Sequence, residues 1–276
     1  MRNIILVGSG NVATHLGIAL QNCHYKIVQV YSRNIKNAKK LAQKLNTDFT
    51  NDLTQLKDAN LIIVSVNDDA ISDVLSQLKN TKKLNIKQSA CETTITDQVA
   101  IAHTSGSVGL DVFNNGDFHL GNNFADFGVL YPIQTFNKEV DVNMSEVPFC
   151  IEGNSLKFKN QLTQIAKRIS NAYEFMDSEQ RKQLHIAAVF ASNFSNQMFT
   201  IADKLLAERN IDFKILLPLI KQTIAKLNTN KPKELQTGPA KRKNKKIIQQ
   251  HIDLIQEKEI KELYKKISAN IIKTHA

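Results

Sequence analysis

The chain has 276 residues, a formal net charge of +10, 42% apolar residues and three cysteines. That length accommodates two domains, and the composition is that of a folded globular protein, which excludes a collagen-like or low-complexity chain. No run of about 18 apolar residues occurs, so no membrane-spanning helix is expected.

The first apolar run leads straight into a glycine turn and lacks the charged start and cleavage site of a signal peptide. Cys23, Cys91 and Cys150 are far apart and odd in number, without C-x-x-C spacing. They imply neither a metal site nor a disulfide framework, and they suit a reducing cytoplasm. From Lys226 to Ala276 there are 13 Lys or Arg against 5 Asp or Glu, so the excess charge is concentrated at that end. Such a field draws something anionic, be it a phosphate-bearing cofactor, an acidic substrate or nucleic acid, or it is simply the solvated face of lysine-rich helices. Only Tyr264 interleaves this cluster with an aromatic ring, which gives no stacking platform for nucleic acid.

In the first half, strand and helix patterns alternate. Asn3–Val7 reads as a strand, Asn11–Asn22 as a helix, Ile27–Tyr31 as a strand and Ile35–Leu45 as a helix. Leu61–Val66 has the continuous apolar character of a buried strand, and helical Ala70–Leu78 follows it. Further strands are expected at Val99–His103, Phe127–Tyr131, Pro148–Glu152 and Tyr173–Met176, with a helix over Leu156–Ser170. Alternation of this kind indicates parallel βαβ units. From Ser178 no strand pattern returns. Ser178–Glu208 reads as one long helix, Phe213–Leu227 as a second, and Lys243–Gln256 and Glu259–Ile272 follow the break at Gly238-Pro239. The fold class is therefore α/β: a doubly wound Rossmann domain over residues 1–177, then an all-helical domain over 178–276.

The first strand runs into Gly8-Ser9-Gly10-Asn11-Val12-Ala13, a G-x-G-x-x-A turn between a strand and a helix. Gly8 permits the tight turn, Gly10 lets a pyrophosphate approach the backbone, and Ala13 lets helix and strand pack closely. The helix N-terminus offers free N–H groups to the phosphates. At the end of the second strand, where an NAD-binding domain carries an acidic residue for the ribose hydroxyls, stand Ser32 and Arg33. A hydroxyl and a guanidinium fork there suit a 2′-phosphate, so NADP is the expected cofactor. Val66 and Asn67, after the Leu61–Val66 strand, complete the expected cofactor-binding set. Asp68 and Asp69 are expected only to open a helix.

Two later strand ends are rich in hydrogen-bonding groups. His103-Thr104-Ser105-Gly106-Ser107 suits an oxygen-rich substrate, and Tyr131-Pro132-Ile133-Gln134 suits a pocket wall. The long helix is apolar on nearly every side and is therefore expected to be buried. At about 100° per residue, its His185, Ser192 and Asn196 fall within roughly 40° of one another, with Asn193 one step round. His185 is the candidate acid/base.

Together the segments Gly8–Ala13, His103–Ser107, Tyr131–Phe136, Ala188–Phe194 and Gly238–Arg242 resemble a family of Rossmann-like oxidoreductases with a C-terminal helical domain of unknown function. That family lies in the superfamily of 6-phosphogluconate dehydrogenase, pyrroline-5-carboxylate reductase and prephenate dehydrogenase. The resemblance implies NADP, a homodimer formed through the helical domain and a substrate in the interdomain cleft, with Arg242 among the substrate-binding residues. Relatives acting on β-hydroxy acids carry Lys four residues before an Asn of the long helix. Here those positions hold Val189 and Ser192, so that lysine mechanism does not transfer. The resulting expectation is hydride transfer between nicotinamide and a small carbonyl, imine or alcohol, with His185 as acid/base and Ser105, Ser192, Asn193 and Asn196 around the substrate oxygen. The alternative is a non-catalytic NADP-binding regulatory or redox-sensing protein.

Overall fold

The computed structural model describes residues 3–79, 81, 99–113 and 126–276; Cys91 lies outside them. Strand β1 (Asn3–Val7) shows how the sheet is built. Its side chains alternate, so Ile4 and Leu6 join one buried layer while Ile5 and Val7 join the other. The first layer is covered by α1 (Asn11–Asn22), α2 (Ile35–Lys44) and α4 (Leu156–Ile169), and the second by α3 (Ile71–Lys79). Burial on both faces is why these strands read as continuous apolar runs.

The other strands are β2 (Lys26–Tyr31), β3 (Asp48–Thr50), β4 (Leu61–Val64), β5 (Ala100–His103), β6 (Phe127–Pro132), β7 (Phe149–Gly153) and β8 (Tyr173–Phe175). Among the described residues they form one sheet in the order β3-β2-β1-β4-β5-β6-β7-β8. Neighbours are parallel except β6 and β7, which run antiparallel and set Tyr131 opposite Cys150 and Val129 opposite Glu152. The expected doubly wound domain is thus present. The three residues of β3 were too few to leave a pattern in the sequence.

Two compact units divide between Ala191 and Ser192, so α5 (Ser178–Ala188) belongs with the sheet. A capping box opens α5: the Asp177 carboxylate accepts the Gln180 N–H, and the Gln180 side chain accepts the Asp177 N–H. The second unit contains α6 (Ser195–Ala207), α7 (Leu217–Ala225), the short α8 (Pro232–Leu235), α9 (Lys245–Leu254) and α10 (Lys258–Thr274). Lys204 pairs with Glu257, and His251 Nδ1 meets the Tyr264 hydroxyl at 2.8 Å, tying α9 to α10. No helix among the described residues is long and apolar enough to cross a membrane.

The long helical run departs from expectation in two ways. It is not α-helical throughout, because Val189–Phe194 winds as a π-helix between α5 and α6. The wider turn invalidates the 100° step that placed His185, Ser192 and Asn196 on one stripe. Nor is the run buried in the single chain: Ile186 is 51% exposed, Phe190 65% and Phe194 49%. An apolar circumference shows only that a surface needs covering; it does not show that the same chain covers it.

Candidate active site

At the carboxyl end of β1 the chain turns at Gly8, whose φ is +125°. A Cβ there would stand 2.1 Å from the Ser65 carbonyl oxygen. The fold itself therefore demands glycine at this position. Gly10 differs, because a Cβ on it would meet no heavy atom within 4 Å. Nothing in the chain requires its missing side chain. The emptiness instead preserves access to the first turn of α1, which has no side-chain cap and no acidic residue. A bare helix N-terminus beside open space is the cradle a pyrophosphate fits.

Ser9 donates to the Ser32 hydroxyl at 2.9 Å, joining the glycine turn to the end of β2. A groove of about 200 Å³ follows, lined by Gly8, Gly10, Ser32, Arg33, Val66 and Asn67 among others. Seven of the nine sequence-predicted cofactor residues, Ser9 among them, thus line one groove. Val12 sits in the first turn of α1. Asn11 is engaged elsewhere: its amide donates to the Phe136 carbonyl at 2.8 Å and its oxygen accepts the Lys138 N–H at 3.3 Å. His15 reinforces this strap, with Nε2 3.0 Å from the Asn137 carbonyl and its ring stacked on Phe136 at 5.2 Å.

The loop after β5 is held from inside. His103 is fully buried, stacks on Phe113 at 5.6 Å, and accepts the Ser105 N–H at Nδ1. Burial first, then the nearby Arg181 charge, drives its pKa down to about 3, so it is neutral. Thr104 shares a 2.8 Å hydrogen bond with Ser65. The Ser105 hydroxyl accepts the N–H groups of Ser107 and Val108, both at 3.1 Å, which shapes the loop. Ser107 in turn donates to Asp68, tying this loop to the 3-10 turn after β4. The Gln134 side chain folds onto its own loop and accepts the Thr135 N–H at 2.8 Å.

Tyr131 and His185 meet at the centre of this unit. The Tyr131 oxygen lies 3.0 Å from His185 Nδ1, with the rings edge to face at 5.9 Å. Gly106 makes the meeting possible. A Cβ on it would stand 2.7 Å from both His185 Nδ1 and Tyr131 Cζ. Burial pushes the Tyr131 phenol up to about 12; the neighbouring Cys150 and Asp68 act in the same direction and Arg181 opposes them. The phenol therefore keeps its proton at neutral pH. Among the described residues no group bonds to His185 Nε2.

What holds this pair is not among the residues singled out from the sequence. Arg181, one helical turn before His185, is completely buried and pairs with Glu152 of β7. It also donates to the Val108 carbonyl. The Ser178 hydroxyl lies 3.0 and 2.9 Å from the two Glu152 oxygens and accepts the Leu110 N–H at 2.9 Å. One network thus pins α5, β7 and the His103–Leu110 loop together. A glutamate near the end of an otherwise apolar strand was the available signal.

Ser192, Asn193, Asn196 and Arg242 belong to the second unit. The first two lie in the π-helical segment, Asn196 in the first turn of α6, and Arg242 in the turn that opens at Gly238. Among the described residues no cluster of His, Cys, Asp or Glu is arranged to hold a metal.

A glycine turn with an open helix terminus between β1 and α1, and a groove from it to the end of β2, are the arrangement of a Rossmann-type dinucleotide-binding domain. Residues 3–87 match the family described as NADP oxidoreductase coenzyme F420-dependent, and residues 147–271 match a domain of unknown function, DUF2520. A Bacteroides fragilis protein that carries the provisional name NADP oxidoreductase BF3122 is 37% identical, over 99% of this chain and 98% of that one, with a TM-score of 0.86. The chain belongs to this NADP oxidoreductase family. Protein TM1727 from Thermotoga maritima shares the fold at 20% identity and TM-score 0.73, covering 99% of each chain. An imine reductase from Myxococcus stipitatus, solved with NADP+, shares it at 12% identity and TM-score 0.61, covering 98% of this chain and 92% of that one. No curated protein matches.

Proposed function

We propose that the chain is an NADPH-dependent reductase of a small carbonyl or imine, or a dehydrogenase of the corresponding alcohol or amine, with His185 as its acid/base. The Tyr131–His185 pair at 3.0 Å carries this reading. When bound, NADPH supplies the hydride. Gly10 and the first turn of α1 would take its pyrophosphate, and Ser32 and Arg33 its 2′-phosphate.

The protein's own contribution is proton management. As an imidazolium, His185 donates Nδ1–H to the Tyr131 oxygen and keeps Nε2–H for the substrate nitrogen or oxygen. Handing over the Nε2 proton leaves a neutral imidazole still anchored to Tyr131. In the reverse direction Nε2 accepts the proton. A phenol held protonated cannot compete for that proton, so it orients the ring without exchanging roles. His103, Thr104, Ser105 and Gly106 shape the floor beneath the pair.

A homodimer is part of this proposal. No residue of α6 or α7 is buried in the single chain, while Phe194, Ile215, Leu219 and Ile224 are exposed. A second copy laid on these helices would supply the missing core.

The test is NADPH oxidation against a panel of imines and carbonyls. His185→Ala should lower kcat by at least about 100-fold on any accepted substrate while NADPH affinity stays within about twofold. Unchanged turnover would remove His185 from the mechanism. NADPH binding with no turnover across the panel would favour the non-catalytic reading.

A further inference from the structure

The loop after β6 ends beside the cofactor turn as well as beside Tyr131, and it brings a charge there. Lys138 shares a recess with Ser9 of the glycine turn and with Asn37, Lys40 and Lys44 of α2. Ser9 also lines the groove of Ser32 and Arg33 and donates to the Ser32 hydroxyl, so the two spaces share it as a wall. Among the described residues none of the three ammonium groups in the recess has a carboxylate partner. Three lysines around one recess without a counter-ion there give it a positive potential, which an anion would neutralise.

The approach of Lys138 is fixed. Asn11 accepts its backbone N–H and donates to Phe136, while His15 holds Asn137 and stacks on Phe136. All of these anchors stand on the first turns of α1. The segment bearing Lys138 is thus strapped onto the element that would carry the pyrophosphate, and Lys138 lines the same recess as Ser9.

We propose that Lys138, with Lys40, completes a phosphate-monoester site continuous with Ser32 and Arg33. Lys138 is then a determinant of NADP over NAD contributed by the substrate loop. This rests on the reading that Ser32 and Arg33 face the 2′-phosphate. It adds a consequence: the loop that follows Tyr131 is held more firmly when the phosphorylated cofactor is present.

The experiment is calorimetric titration of the full chain with NADPH, NADH, 2′,5′-ADP and inorganic phosphate, for wild type, Lys138→Ala, Lys40→Ala and Arg33→Ala. Lys138 is exposed, so its truncation leaves the core intact. Lys138→Ala should weaken NADPH and 2′,5′-ADP about tenfold, the loss of one charge-assisted contact, and change NADH less than about twofold. Equal weakening of NADPH and NADH, or no change in either, overturns the proposal. Inorganic phosphate bound as tightly as 2′,5′-ADP in a Lys138-dependent way also overturns it, because the recess would then be a free-anion site. If Arg33→Ala keeps the full preference for NADPH while Lys138→Ala loses it, the Ser32–Arg33 reading fails and Lys138 stands. The converse result leaves that reading intact and removes Lys138.

Discussion

Replacing Arg181 by methionine removes one half of a buried ion pair and leaves the Glu152 carboxylate facing an apolar side chain. Arg181 has no exposed surface, and among the described residues Glu152 then keeps the Ser178 hydroxyl as its side-chain donor. Breaking such a pair costs about 3–5 kcal/mol. For a folding unit of this size each kcal/mol lowers Tm by about 2–4 °C, so a fall of about 6–20 °C is expected. The compensated variant Glu152→Leu/Arg181→Met removes both charges and should recover most of that loss. Its orphaned groups are then the Ser178 hydroxyl and the Val108 carbonyl, which together cost less than a bare carboxylate. Thermal melts of wild type, Arg181→Met and the double variant decide the matter. A single variant that melts within about 2 °C of wild type would show that the network does not hold α5 against the sheet, and the argument for how His185 is placed would fall with it.

Gly106→Ala should separate the Tyr131–His185 pair, because the new Cβ would stand 2.7 Å from both rings. Turnover should fall about 100-fold with NADPH affinity held within about twofold, and unchanged turnover would show that the pair is not used. His103 predicts a pH effect on stability. Its folded pKa of about 3 lies below the ordinary 6.5, so the unfolded chain binds the proton more readily. The stability from keeping this ring neutral is fully present above pH 6.5 and is lost as the pH falls from there toward 3, at about 1.4 kcal/mol per pH unit. His103→Asn should flatten that part of the stability curve in urea titrations; an unaltered slope would assign the acid sensitivity to other groups.

The sheet was legible because both of its faces are buried. Continuous runs such as Leu61–Val64 and helices punctuated by Gly and Asn leave strong local marks, and the bounds of α1 follow from them directly. The lining of the groove was legible for a related reason: Gly8 and Gly10 stand at fixed places in a βαβ unit, and Ser32 and Arg33 close its second strand. The Arg181–Glu152 network was not, since its partners are 29 residues apart and each alone resembles a surface charge. The long helix misled in the opposite direction. Its apolar character predicts burial, which the single chain does not supply at Ile186, Phe190 and Phe194, and a regular 3.6-residue turn does not hold across Val189–Phe194, where the backbone winds wider. Ser105 is expected to contact substrate, and the structure adds a second use: its hydroxyl accepts two backbone N–H groups of its own loop. Residue type alone does not distinguish these uses.

The central claim is that the groove between the glycine turn and the end of β2 selects a 2′-phosphate. Titration of wild type and Arg33→Asp with NADPH and NADH tests it most directly. Wild type should bind NADPH at least about tenfold more tightly than NADH, and the variant should lose about 100-fold in NADPH affinity while NADH binding is kept or improved. An Arg33→Asp variant that still prefers NADPH by the wild-type margin would contradict the account.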